Sequence, residues 1–128
     1  MFCKDYAILW EEVSMMELTQ TEFVLCPKFE KTFSILGKKW NGLIIDVLLE
    51  NGPQRFVELA AKIPMVSDRV LVERLKELEK EGIVTRNFAC SEKSRSEYLL
   101  TEKGADLQKA MRQIQVWSEK WEIGRAHV

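Results

Sequence analysis

Cys26, followed at once by Pro27 and then by Lys28 and Lys31, is the residue of this chain with the most evident covalent chemistry. Proline is tolerated in the first turn of a helix, where its missing N–H would have had no partner, so Cys26-Pro27 marks a helix start. A thiol held there, with two lysines within a turn, has its thiolate stabilised by the helix dipole and by positive neighbours. Both effects lower a cysteine pKa and favour nucleophilic attack at neutral pH. A buried structural cysteine fits the same spacing, and the residue types leave both readings open. A cysteine enzyme would need a base, and the single histidine, His127, stands one residue from the end of the chain. There is no glycine-rich phosphate loop and no paired acid/base site. Cys3, Cys26 and Cys90 match neither a metal knuckle nor a secreted disulfide framework. The sequence therefore predicts no catalytic residue, no metal and no cofactor.

A second set of residues carries the chemistry of duplex recognition. Ser67 is a good helix N-cap, and Leu71, Leu75 and Leu78 recur at helical spacing as a buried stripe. That stripe leaves Asp68, Arg69, Val72, Glu73 and Lys76 on or near the opposite side. Arg69 is then the natural base reader, since arginine pairs bidentately with guanine. Ser67 can donate to a phosphate, and the helix N-terminus attracts anions. Arg74 reads equally as a phosphate contact or as the partner of Glu58 or Glu77, and the run Glu73 to Glu81 reads as a solvated helix face. Lys93 and Arg95 stand where a hairpin tip would lay long cations on phosphate or in a minor groove. Lys39 and Arg55 are further candidates for phosphate, each equally an ordinary exposed cation.

Positioning those groups requires a particular order of elements. Pro27 to Leu36 predicts a helix with Phe29, Phe33 and Leu36 inward, ended by Gly37. A second helix over Trp40 to Leu49 is closed by Asn51-Gly52-Pro53. Arg55-Phe56 is a minimal extended piece before a helix over Val57 to Ile63, which Pro64 stops. The helix opened by Ser67 runs until Gly82. Ile83 to Ala89 and Ser96 to Thr101 read as a hairpin around a polar tip. Thr101-Glu102-Lys103-Gly104 leads into a long terminal helix whose apolar residues, Leu107, Met111, Ile114, Trp117 and Trp121, outrun what one small core can cover. Together with Phe29 they are the residues expected at a dimer interface. The pattern is mainly α (α+β): a winged helix-turn-helix with a two-stranded β-wing and a long C-terminal dimerisation helix.

Composition sets the outer bounds. The chain has 128 residues and a formal net charge of −1, an unpromising figure for a nucleic-acid binder. The charge is unevenly placed: up to Pro27, Lys4 stands against Asp5, Glu11, Glu12, Glu17 and Glu22, so the remainder is net basic. Residues 1–25 are read as a helical N-terminal extension, with Met15 and Met16 as alternative starts. Residues 26–123 form the DNA-binding and dimerisation domain, and 124–128 a tail. No apolar run is long enough for a membrane span and the first residues lack a secretory pattern, so a soluble, cytoplasmic protein is expected.

Several stretches in order resemble the HxlR-type winged-helix regulators, a branch related to the MarR repressors. They are Cys26-Pro27-Lys28-Phe29-Glu30, Leu36-Gly37-Lys38-Lys39-Trp40, Gly52-Pro53-Gln54-Arg55-Phe56, Ile63-Pro64, Ser67 to Glu79, and Tyr98 to Gly104. Within that family the chain is most similar to the quinone- and electrophile-sensing repressors, in which the cysteine before the first-helix proline is the sensor. The resemblance gives Cys26 that role. Two features depart from those relatives: the 25 residues before Cys26, and Cys90-Ser91-Glu92-Lys93 in place of a Pro-Glu-Thr-Pro-like wing turn. No cysteine lies near the C-terminus, which favours alkylation, a low-molecular-weight thiol adduct, or pairing of Cys26 with Cys90 or Cys3. The expected protein is a homodimeric repressor that leaves its double-stranded operator when Cys26 is modified by a quinone or another small electrophile. The alternatives are a winged-helix protein-interaction module and a regulator of this type without cysteine sensing.

Overall fold

The computed structural model describes residues 23–88 and 96–124. The chain forms two compact units, residues 1–39 and 40–128. The first contains α1 (Pro27–Leu36), with Cys26 in extended backbone at its N-cap and proline in its first turn. Gly37 ends the helix by donating its N–H to the Phe33 carbonyl at 2.9 Å. Phe29 and Phe33 meet edge to face, ring centroids 4.9 Å apart. The inward orientation expected for this pair does not occur: they are 59% and 55% exposed. Helical spacing identifies a shared apolar face, and in the single chain that face meets solvent.

The second unit begins with α2 (Asn41–Asn51), which buries Ile44, Ile45 and Leu48. Gly52, at φ +76°, closes it in a conformation that side chains disfavour. Strand β1 (Gln54–Arg55) leads directly into α3 (Phe56–Lys62). A turn then reaches α4 (Asp68–Lys80), followed by β2 (Val84–Asn87) and β3 (Glu97–Leu100). The short α5 (Glu102–Ala105) precedes α6 (Gln108–Lys120). The expected wing strands are both present, and the minimal piece expected at Arg55-Phe56 lies one residue earlier, at Gln54–Arg55, with Phe56 already helical; it adds a third strand. The sheet order is β1-β3-β2, antiparallel throughout, with Gln54 opposite Tyr98 and Arg86 opposite Tyr98 on the other side. Two residues carry no periodicity, so only pairing can reveal β1 as a strand. Gln54 is buried but satisfied: it donates to the Pro53 carbonyl and accepts from Lys62 Nζ at 2.8 Å.

The core lies under α4. Leu71, Leu75 and Leu78 are buried, as are Ile44, Ile45, Leu48, Leu59, Ile63, Ile83 and Val84, each leucine contributing about 1.5–3 kcal/mol of burial. A Schellman closure ends α4: Ile83 donates to the Leu78 carbonyl at 2.9 Å and Gly82 to that of Glu79 at 3.0 Å, with Gly82 at φ +77°. Thr101 then ties that closure to the end of the sheet. Its hydroxyl donates to the Gly82 carbonyl at 2.6 Å and accepts from the Gly104 N–H at 3.1 Å, capping α5. Lys103 donates to the Glu81 carbonyl at 2.7 Å. Gly104 is required by contact, since a Cβ there would collide with the Ile83 carbonyl oxygen and crowd Leu100.

Gly104→Ala should therefore lower unfolding stability by about 2 kcal/mol through overpacking. Urea unfolding checks this, and an unchanged midpoint would contradict the contact.

Candidate nucleic-acid interface and thiol site

The helix-turn-helix is made by α3, the turn Ile63–Ser67 and α4. Proline at 64 cannot continue α3, and Ser67 starts α4 by accepting the Val70 N–H at 3.2 Å. With the three leucines inward, Ser67, Asp68, Arg69, Val72, Glu73 and Lys76 are all exposed. The structure thus gathers the N-terminal turn and outward face of α4 into one solvent-facing surface. Arg74 is turned aside: half-buried, its guanidinium lies 3.7 Å from Glu77. Arg55 is exposed at the start of α3, where Glu58 accepts its backbone N–H at 2.7 Å and lies 3.9 Å from its side chain. Lys39 is exposed in the first unit. Lys93 and Arg95 lie outside the described residues.

Sequence reasoning missed Arg86. Its guanidinium carbon lies 5.0 Å from the Phe88 ring centroid and 5.1 Å from that of Tyr98, a cation held between two aromatic faces across the hairpin. Strand alternation combined with the β2–β3 register would have found it, because Arg86 stands directly opposite Tyr98. Burial raises the Tyr98 phenol above the ordinary tyrosine value; the Arg86 charge opposes that shift and Glu79 adds to it.

Cys26 is 8% exposed and disulfide-bonded; the other two cysteines, Cys3 and Cys90, lie outside the described residues. The disulfide sulfur is an electrophile for thiolates, and the nucleophile expected at this helix start exists only after reduction. Lys28 and Lys31 follow it on an exposed surface of α1.

The remaining predicted residues lie on or beside α6, none of whose residues is buried. Leu107 and Met111 are half-buried, whereas Ile114, Trp117 and Trp121 are exposed, the tryptophans by 55% and 61%. Gln115 on the same helix donates to Asp46 of α2 at 2.6 Å, fixing α6 on the unit while its apolar residues remain outside. Among the described residues no cluster of His, Cys, Asp and Glu could hold a metal ion, and no helix is long and apolar enough to cross a membrane.

Comparison with known proteins gives concordant results. Residues 35–125 match the family described as HxlR-like helix-turn-helix. The chain is 48% identical over 97 residues to the HTH-type transcriptional regulator YodB of Bacillus subtilis strain 168, covering 76% of this chain and 86% of that protein. The crystal structure of quinone-bound YodB from B. subtilis superposes with a TM-score of 0.66 at 49% identity, covering 74% of this chain and 99% of that one. The redox regulator HypR in its reduced form superposes with a TM-score of 0.69 at 32% identity, covering 75% and 94%.

Ser67→Ala removes the cap of α4 and should cost about 1 kcal/mol, read from a urea unfolding midpoint; no change would deny the cap its role. For Tyr98, a phenol raised above 10 in the fold favours the protonated folded state. Its contribution to stability is complete below pH 10 and is lost as pH rises through the raised value. Unfolding midpoints between pH 9 and 11 should fall more steeply for the wild-type chain than for Tyr98→Phe, and parallel profiles would contradict this.

Proposed function

We propose a specific mode of action for this chain, which belongs to the HxlR family of winged helix-turn-helix transcriptional regulators: it binds operator DNA as a homodimer, represses from there, and loses operator affinity when Cys26 is modified. The relatives are named regulators, and the chain is read as a regulator with no catalytic site. The observation that carries the DNA reading is the exposed N-terminal turn of α4, with Ser67 capping and Arg69 presented away from the leucine stripe. A helix so placed lays its first residues against base edges. Arg69 reads guanine; Ser67, Asp68, Lys39, Arg55 and the wing residues Lys93 and Arg95 supply the remaining contacts, with Arg74 contributing from its pairing with Glu77. The cytoplasm is where such a regulator meets its operator.

The dimer uses the apolar residues that the single chain leaves outside, Ile114, Trp117 and Trp121 on α6 with Leu107 and Met111, and Phe29 on α1. Large apolar side chains left exposed in this way mark an interaction site. Two recognition helices on one duplex must stand about 34–36 Å apart, one DNA turn, so a change at the dimer contact is felt as lost affinity.

Cys26 supplies the change. Its reduced thiolate adds to a quinone ring carbon; one ring oxygen takes a proton from solvent and the other the hydrogen displaced from the attacked carbon, giving a hydroquinone thioether without a leaving group. Alternatively, two thiols close a disulfide while a quinone accepts their two electrons and two protons. The disulfide at Cys26 and the quinone bound in YodB support these routes.

After reduction, 1,4-benzoquinone should release the wild-type chain from DNA in a mobility-shift assay and leave Cys26→Ser bound; equal release of both removes Cys26 from the mechanism. Arg69→Ala should lose about fivefold to a hundredfold of specific affinity, from about 1–3 kcal/mol per bidentate pair, with its unfolding midpoint unchanged; unaltered operator affinity removes the reader. Wild-type affinity should fall steeply with salt, as phosphate neutralisation requires, and a flat response would favour a protein-interaction module.

A further inference from the structure

We infer that Val72 is a specificity-determining residue of α4, reading the 5-methyl group of a thymine beside the base read by Arg69; the inference rests on the DNA-binding function proposed above. Val72 is 37% exposed on a helix whose core contact is already complete, with Leu71, Leu75 and Leu78 each 0–1% exposed. At 3.6 residues per turn, Arg69, Val72 and Lys76 fall on one ridge, so the valine is the apolar link between two exposed cations. Apart from Ser67 at the cap, every other residue on that surface, Asp68 and Glu73 included, is charged.

Helix stability does not account for a valine there. A β-branched side chain loses rotamer freedom in a helix and ranks below alanine, leucine, lysine or glutamate. The charges of Asp68, Arg69, Glu73 and Lys76 cancel, so this surface contributes little net attraction to phosphate, and its contribution is discrimination between base edges. In a major groove the apolar feature open to a valine is the thymine methyl, which cytosine lacks. Residues three apart on a helix have Cβ atoms roughly 5–6 Å apart, and base pairs along a duplex are spaced by about 3.4 Å. The thymine therefore lies within about two base pairs of the guanine taken by Arg69.

The test is a methyl-deletion scan on duplexes selected by the full wild-type chain from a randomised library. Each thymine is replaced singly by deoxyuridine and affinity is measured by fluorescence anisotropy. Wild type should lose about fourfold at one thymine per half-site, the effect of one buried methyl-sized group. The position should lie next to the guanine whose identity Arg69→Ala no longer reads. Val72→Ala should bind the thymine duplex about fourfold more weakly and show no further loss with deoxyuridine. Alanine is the better helix former, and an unchanged circular dichroism spectrum verifies the fold. Val72→Thr, which keeps one methyl, should retain part of the discrimination. Equal deoxyuridine effects in wild type and Val72→Ala, or none at any thymine, would overturn the role of Val72 while leaving DNA binding intact. Failure of the wild-type chain to select any sequence would overturn both.

Discussion

Leu71, Leu75 and Leu78 are almost wholly withdrawn from water, and their burial fixes the rotation of α4 about its own axis. The base contacts proposed for α4 depend on that rotation. A slip of one residue would carry the outward set by about 100°, moving Arg69 toward the core and a leucine toward solvent. Three buried leucines at about 1.5–3 kcal/mol each make the slip costly compared with any single contact on the outer surface. Ser67 sets where the helix begins, which brings Arg69 into its first turn.

The other end of α4 is held as firmly, by backbone groups. Gly82 turns the chain in a left-handed conformation, Thr101 binds the Gly82 carbonyl, and Gly104 lets α5 approach Ile83 more closely than any side chain would permit. Helix α4, the base of the hairpin and the lead-in to α6 are thereby joined through a few residues. Arg86 continues the joint outward by packing between Phe88 and Tyr98. The base of the wing is thus referenced to α4 through close polar and aromatic contacts.

Much of this was legible in the sequence because it is local. Ser67 as a cap, Pro64 as a stop, Gly82 as a terminator and the leucine spacing each act within one turn of chain, and all appear where they were expected. Long-range features were less visible. The pairing of Gln54–Arg55 with β3 and the Arg86 stack depend on which strands become neighbours. Phe29 and Phe33 were expected inward because spacing reveals an apolar face but not what covers it. The Trp117 and Trp121 positions followed the opposite logic: too many apolar residues for one core pointed outward, and outward is where they lie. For Cys26, position at a helix start was readable, and a disulfide was one of the fates the sequence left open beside alkylation and a thiol adduct.

The net charge of −1 conceals the division on which the account rests, an acidic beginning and a net basic remainder. Recognition and sensing are likewise assigned to separate places, α4 for the duplex and Cys26 for the electrophile. Their coupling is the central claim. The direct measurement is intact-protein mass spectrometry of the DNA-bound and DNA-released fractions after graded exposure of the reduced protein to 1,4-benzoquinone. Released chains should carry one adduct, mapped to Cys26, and bound chains none there. Adducts on Cys26 distributed equally between the two fractions, or release that follows modification of Cys3 or Cys90 alone, would contradict it.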